Sequence, residues 1–143
     1  MKILIINAGS SSVKFQVFEM NTEEVLCRGR VENIGPHEGK LILKCEKRGK
    51  HEKKLLIPDF PSALGLILET ITSSQFKILD SISEIDAVGH RVVHGGEEFA
   101  DACIVTEEML SAMESCIELA PLHNPPNILG LRVCQEIMPD VPQ

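Results

Sequence analysis

The sequence predicts an α/β or α+β domain built on a mixed sheet, and three observations predict it. Ile3 to Ile6 are four apolar residues in a row, and Val13, Phe15 and Val17 then alternate with Lys14 and Gln16. The first pattern is that of a short strand buried on both faces and the second that of a half-buried strand. Leu64, Ile67, Leu68 and Ile71 next form one helical stripe. A further apolar segment, Ile85 to Val93, is followed by two more helical patterns. Strands, helix, strand, helix, helix is the order of a sheet with helices packed on it.

Each element has its own local signal. After Phe18 a turn at Met20 to Glu24 leads to a strand near Val25 to Ile34, and residues 35 to 39, with two glycines and a proline, read as loop. Leu41 to Lys44 form a strand, Arg48-Gly49-Lys50 a hairpin tip, and the return strand ends at Leu55 to Ile57. Asp59-Phe60-Pro61 opens the first helix, with proline in its first turn. In the strand Ile85 to Val93, residues Ile85, Ala87, Gly89, Arg91 and Val93 share a face. Thr106 caps the second helix, with Glu107 and Glu108 favourable in its first turn and Met109, Leu110, Met113 and Ile117 as its stripe. Asn124 is expected to cap a third helix, with Pro125 and Pro126 at its start and Ile128, Leu131 and Ile137 inward.

Composition excludes several classes of function. With 143 residues the chain makes one domain with a real core. A net charge of −7 argues against a nucleic-acid binder, which needs a positive face. The lysine-rich segment from Lys40 to Lys54 lacks aromatic residues for stacking and reads as a solvated hairpin tip. The first apolar run stops at Asn7, too short for a signal peptide, and no stretch approaches a membrane span. Cys27, Cys45, Cys103, Cys116 and Cys134 form no C-x-x-C pair and read as thiols of a reducing cytoplasm.

Three segments carry chemistry. Between the first two strands lie Asn7, Ala8, Gly9, Ser10, Ser11 and Ser12, followed by Lys14. A carboxamide, hydroxyls, approachable backbone N–H groups and one cation suit a polyanion such as a nucleotide phosphate. The same residues also suit a polar hairpin turn without a ligand. The second segment is G-H-R-V-V-H-G-G, Gly89 to Gly96. A guanidinium in an apolar strand needs an anionic partner, so Arg91 is either a structural ion-pair member or a ligand contact. Val93 on the same face would meet the alkyl end of a small carboxylate, and Gly95 and Gly96 permit close approach. His90 and His94 stand four apart but lack a third zinc ligand. The third segment is A-P-L-H-N-P-P-N, Ala120 to Asn127, which sets His123 just ahead of a helix N-terminus. His123 is either a donor to a phosphoryl oxygen or a histidine satisfied by loop backbone. No P-loop, G-x-G-x-x-G or G-x-S-x-G pattern is present.

N-A-G-S-S-S-V-K-F, G-H-R-V-V-H-G-G and A-P-L-H-N-P-P-N, in that order, resemble the N-terminal part of acetate kinases. The resemblance covers the whole chain. It implies a ribonuclease H-like mixed sheet with flanking helices, one domain of the two-domain acetate and sugar kinase/Hsp70/actin fold. It implies reversible, Mg2+-dependent transfer of the ATP γ-phosphoryl group to acetate, giving acetyl phosphate and ADP, in a cytoplasmic enzyme that is a homodimer. A propionate kinase of the same family and a non-catalytic phosphate- or partner-binding module are the alternatives. By the resemblance Asn7 belongs to the magnesium site and Lys14 to the ATP site. Ser10 and Ser12 face the transferring phosphate. Arg91 holds acetate or acetyl phosphate, Val93 and Leu122 line the methyl pocket, and His123 stabilises the transition state. The resemblance also implies that residues 1–143 are an N-terminal domain with about half of an active site and no activity alone. It places the catalytic aspartate on a strand after Gln143, beside the first strand.

Overall fold

The computed structural model describes residues 1–93, 95 and 101–143. Six strands form one sheet: β1 (Lys2–Ala8), β2 (Val13–Glu19), β3 (Glu24–Glu32), β4 (Glu38–Cys45), β5 (Gly49–Leu56) and β6 (Ile85–His90). Their order is β5-β4-β3-β2-β1-β6. Consecutive strands from β1 to β5 pair antiparallel, through short hairpins, and β6 pairs parallel to β1. The parallel pair needs a crossover, which helix α1 (Phe60–Thr72) supplies.

Period-two alternation decides which side of the sheet is buried. Leu4, Ile6, Phe15, Val17, Val31 and Leu43 share one face and are nearly or fully excluded from water. They meet Ala63, Leu64, Ile67 and Ile71 of α1 and Val133 and Cys134 of α3 (Asn124–Ile137). Burying one side chain the size of Phe15 contributes about 1.5–3 kcal/mol, and this layer is the larger of the two apolar cores. A second, smaller core of Met109, Leu110, Met113, Ile128 and Leu131 joins α2 (Glu107–Ser115) to α3. Both α1 and α2 start as the sequence predicts. The Asp59 carboxylate accepts from the Ser62 N–H at 2.8 Å, and the Thr106 hydroxyl accepts from the Met109 N–H at 3.2 Å. The Thr106 cap is worth about 1 kcal/mol.

The structure corrects several sequence expectations. β1 is not buried equally on both faces: Ile3 and Ile5, on the side away from the helices, are only half-buried. Residues 38 and 39 belong to β4 rather than to a loop, and Gly39 is buried against the Ile57 side chain. The strand expected over Ile85–Val93 ends at His90, so Arg91 is exposed and not inside an apolar strand. Asn124 does not cap α3. It is fully buried, with its Nδ2 donating to the Met113 carbonyl at 3.1 Å, and His123 precedes the first helical turn without a side-chain cap. Ile137 is 39% exposed, because the inward face continues through Cys134 to Met138 and leaves it to one side. β1 already has β2 on one side and β6 on the other, so no further strand can lie beside it. The free edge on that side belongs to β6, where Val88 N–H donates to the Pro142 carbonyl at 2.9 Å.

Gly29 on β3 is the tightest point of the sheet. A Cβ there would lie 2.6 Å from the Ile42 carbonyl oxygen and would also run into the Phe15 ring, which lies over the glycine. Gly29→Ala is therefore expected to destabilise the chain by about 1–3 kcal/mol through overpacking. Urea unfolding measures this; an unchanged midpoint would show that the Phe15 ring and the Ile42 carbonyl both give way without cost.

Candidate functional site

The C-terminal end of β1 is the meeting point of the three chemical segments. The β1–β2 connection is closed by the Gly9 N–H donating to the Ser12 carbonyl at 2.8 Å, and the Ser11 carbonyl accepts from the Ile34 N–H at 2.9 Å. These bonds fix the turn and leave Ser10 exposed and Ser12 half-buried. Lys14 lies opposite Asn7 across the ladder, on the sheet side away from the helices, and is exposed. Asn7 is half-buried.

Beyond β6, Arg91 N–H donates to the Ile6 carbonyl at 3.1 Å, the last bond of the parallel ladder. The next bond of such a ladder would join Val93 N–H to the Ala8 carbonyl. Instead the buried side chain of Asn127 is inserted between them. Its Nδ2 donates to the Ala8 carbonyl at 2.9 Å and its Oδ1 accepts from the Val93 N–H at 3.1 Å. One carboxamide thus satisfies both backbone groups, ends the strand pairing, and fixes the α3 N-terminus to the loop. Gly130, one turn further along α3, allows the close approach: a Cβ there would come within 2.9 Å of the Ala8 Cβ. Asn127 lies in the A-P-L-H-N-P-P-N segment but received no role from sequence. Its signal is a polar residue at a helix position where the stripe requires an inward side chain.

The structure therefore brings Asn7, Ser10, Ser12, Arg91, Val93 and His123 to one end of the sheet, by way of the backbone bonds above. Val93 is 48% exposed, Leu122 76% exposed, and Arg91 and His123 are also exposed. Among the described residues Arg91 pairs with no carboxylate. His94 and Gly96 of the second segment lie outside the described residues. His90 is engaged through Nε2, which donates to the Gln143 Oε1 at 2.7 Å. The arrangement offers hydroxyl O–H and carboxamide N–H donors, a guanidinium and a helix N-terminus, a set that suits anionic oxygens. No group of three His, Cys, Asp or Glu gathers among the described residues. The oxygens of Asn7, Ser10 and Ser12 fit Mg2+ only as minor ligands of an ion carried in by phosphates and water.

Burial holds the His90 imidazole below its ordinary value of 6.5, and the bond to Gln143 opposes this only in part. A depressed histidine is neutral when folded, while the unfolded chain takes up the proton below about pH 6.5. Stability should therefore be full above that pH and fall as pH drops below it. His90→Gln is expected to flatten this part of the profile. Urea midpoints of both proteins between about pH 7.5 and 5.5 measure it, and parallel profiles would remove His90 from the account.

The Asn127 bridge predicts a sharper effect. Asn127→Leu leaves the Ala8 carbonyl and the Val93 N–H without partners and should cost about 2–4 kcal/mol. Hydrogen exchange at Val93 should accelerate well beyond that of core β2 amides. Unchanged protection at Val93 would mean that its amide does not depend on the carboxamide.

A family model described as the acetokinase family matches residues 2–143. Acetate kinase of Clostridioides difficile (strain 630) is 51% identical over 99% of the chain and 36% of its own length. The crystal structure of Porphyromonas gingivalis acetate kinase superposes with a TM-score of 0.95 at 39% identity, over 99% of this chain and 36% of that one. A propionate kinase from Francisella tularensis superposes with a TM-score of 0.88 at 37% identity, over 99% of this chain and 35% of that one. The chain thus spans about a third of the length of these relatives, and its mixed sheet with helices is the fold they share. On the match from end to end, with the three segments gathered at the end of β1, the chain belongs to the acetokinase family.

Proposed function

We propose that residues 1–143 form the N-terminal domain of an acetate kinase and carry the acyl-phosphate half of its active site. In the whole enzyme the reaction is reversible transfer of the ATP γ-phosphoryl group to acetate, giving acetyl phosphate and ADP. The observation that carries this reading is the convergence of the polar loop, Arg91 and the α3 N-terminus on the end of β1, held by the Asn127 carboxamide. Phosphoryl transfer needs positioning and charge neutralisation more than a covalent partner, and this end of the sheet provides both.

In this reading Arg91 binds the carboxylate of acetate, or the acyl phosphate, and neutralises charge as the phosphoryl group moves. Val93 and Leu122 meet the methyl group. Their exposure in this chain fits a pocket completed by residues from the rest of a full-length protein. His123 donates to a phosphoryl oxygen from the start of α3, and Ser10 and Ser12 orient the transferring phosphate. Lys14 meets the ATP phosphates. Asn7 would help to hold Mg2+, which supplies charge neutralisation on the phosphate oxygens when bound. Cytoplasmic location and a homodimer are carried over from the family resemblance. No helix among the described residues is long and apolar enough to cross a membrane.

A second reading, propionate kinase, is favoured by the similarity to the Francisella tularensis enzyme. One methylene changes discrimination by only about 1–3 kcal/mol, so the full-length protein should be assayed with both acids. Val93 favours acetate, since a smaller side chain there would leave room for a longer acyl group. A higher kcat/KM for propionate would reverse the assignment.

Arg91→Leu in the full-length protein tests the site itself. The side chain is exposed, so folding should be unaffected. Loss of one charge-assisted contact to substrate and transition state should lower kcat/KM for acetate about a hundredfold, with little change in the KM for ATP. Wild-type kinetics with acetate would remove Arg91 from the site.

A further inference from the structure

Two of the five cysteines are set face to face by the sheet. β3 and β4 pair antiparallel through Arg30↔Ile42, Gly29↔Leu43 and Arg28↔Lys44, and the same register carried on by one residue puts Cys27 opposite Cys45. Strand alternation turns both onto the helix-covered face, where they are buried in one core as free thiols. Directly opposite residues of an antiparallel pair have Cα atoms about 4.5–5.5 Å apart, whichever kind of hydrogen-bonding position they occupy. A disulfide needs about 4.4–6.8 Å. The register therefore meets the backbone requirement for a bond between the two sulfurs. Cys103, Cys116 and Cys134 lie outside the strands, so no ladder pairs them.

The two thiols differ in access. On β3, Cys27 stands between Val17 of β2 and Cys45 of β4. Burial, with Cys45 beside it, pushes its thiol up to about 12. Cys45 is the last residue of β4, and the Arg48 N–H donates to its carbonyl at 3.3 Å to close the turn into β5. A concavity of 610 Å³ opens beside it, between this turn, the start of β3 and residues Phe76 to Ile78. The Arg48 guanidinium is held there by donating to the Gln75 carbonyl. Burial raises the Cys45 thiol, and the charge of Arg48 opposes this by favouring the thiolate. The thiolate is the species that attacks a disulfide, so Cys45 is the point of entry and Cys27 the second thiol.

We propose that Cys27 and Cys45 are a dithiol modification site, which a low-molecular-weight disulfide oxidises to a cross-strand disulfide, with Cys45 attacking first. The Cys45 thiolate attacks one sulfur of the reagent RSSR, forms a Cys45–S–S–R bond and releases RS⁻. Cys27 gives up its proton and attacks the Cys45 Sγ. That step breaks the mixed disulfide, releases a second RS⁻ and closes the Cys27–Cys45 bond. Two protein thiols are oxidised, one external disulfide is reduced, and the two protons end on the two RS⁻ groups. An external thiol in excess reverses both steps. The pair lies at the far end of β2 from the candidate functional site: Val17 faces Cys27, whereas Val13, next to the loop, faces Val31. None of the residues assigned to substrate, nucleotide or Mg2+ takes part.

The test is incubation of the native 143-residue chain with oxidised glutathione, followed by alkylation of the remaining thiols and peptide mapping by mass spectrometry. Trypsin separates the two cysteines, since Arg28, Arg30, Lys40 and Lys44 lie between them. The wild type should yield a Cys27–Cys45 cross-linked peptide that dithiothreitol removes. Exposed Cys103 should carry glutathione and shows that the reagent is active. Cys27→Ala should retain glutathione on Cys45, and Cys45→Ala should leave Cys27 free. Arg48→Met should slow formation of the cross-link severalfold. The oxidised chain should unfold at a higher urea midpoint, because the bond closes a loop in the unfolded chain. The wild-type map needs no substitution, so a poorly folded alanine variant does not weaken the test. Free Cys27 and Cys45 in a chain whose Cys103 has reacted would overturn the proposal. So would a cross-link that forms only in urea, or a lower urea midpoint after oxidation. Glutathione trapped on Cys27 in Cys45→Ala, or an unchanged rate in Arg48→Met, would overturn the entry through Cys45.

Discussion

The carboxamide of Asn127 is the interaction on which the arrangement of this end of the molecule depends. It takes the two hydrogen bonds that β1 and β6 would otherwise make with each other. Two parallel strands can part only if their exposed backbone groups find other partners, since a buried unpaired carbonyl or N–H costs about 1–3 kcal/mol. Asn127 provides both from one residue. The consequence reaches three segments at once: the loop after Ala8 is held, the chain after Arg91 is released from the sheet, and the first turn of α3 is tied to both. A side chain in helix three thereby decides where the guanidinium of Arg91 emerges.

The sheet is asymmetric, and the asymmetry organises the rest. One face is a dry layer covered by α1 and α3. The other carries exposed cations around Ile42, with half-buried Ile3 and Ile5 further across. Strand alternation produces both faces from the same residues, so the charged face follows from the pattern that builds the core. The overall net charge conceals this, because the acidic residues are concentrated in the second part of the chain.

The open geometry of the candidate site has a physical reading as well. Val93 and Leu122 are apolar and exposed, while the β1–β2 loop is fixed by backbone bonds. A fixed polar loop and exposed apolar side chains gain specificity only when another surface excludes water from them. The relatives that share this fold extend to almost three times the length of the chain, and the proposed catalytic cycle assigns that covering role to the remainder.

The sequence by itself determined the elements with a strong local cause. The alternation in β2, the stripe of α1, its start at Asp59-Phe60-Pro61 and the cap at Thr106 are all as read, because each depends on residues within one or two turns or strands. The three chemical segments were also legible, since their residue types are unusual for their positions. Tertiary structure alone decided where β6 ends, and it changed the meaning of Arg91 from a buried ion to an exposed one. It likewise made Asn124 a buried donor to Met113 rather than a cap, and gave Asn127 its part between the strands. In each case the deciding partner lies far away in sequence: 119 residues separate Ala8 from Asn127. Local patterns report which face a residue prefers. Which backbone group its polar atoms will satisfy is settled only when the elements pack.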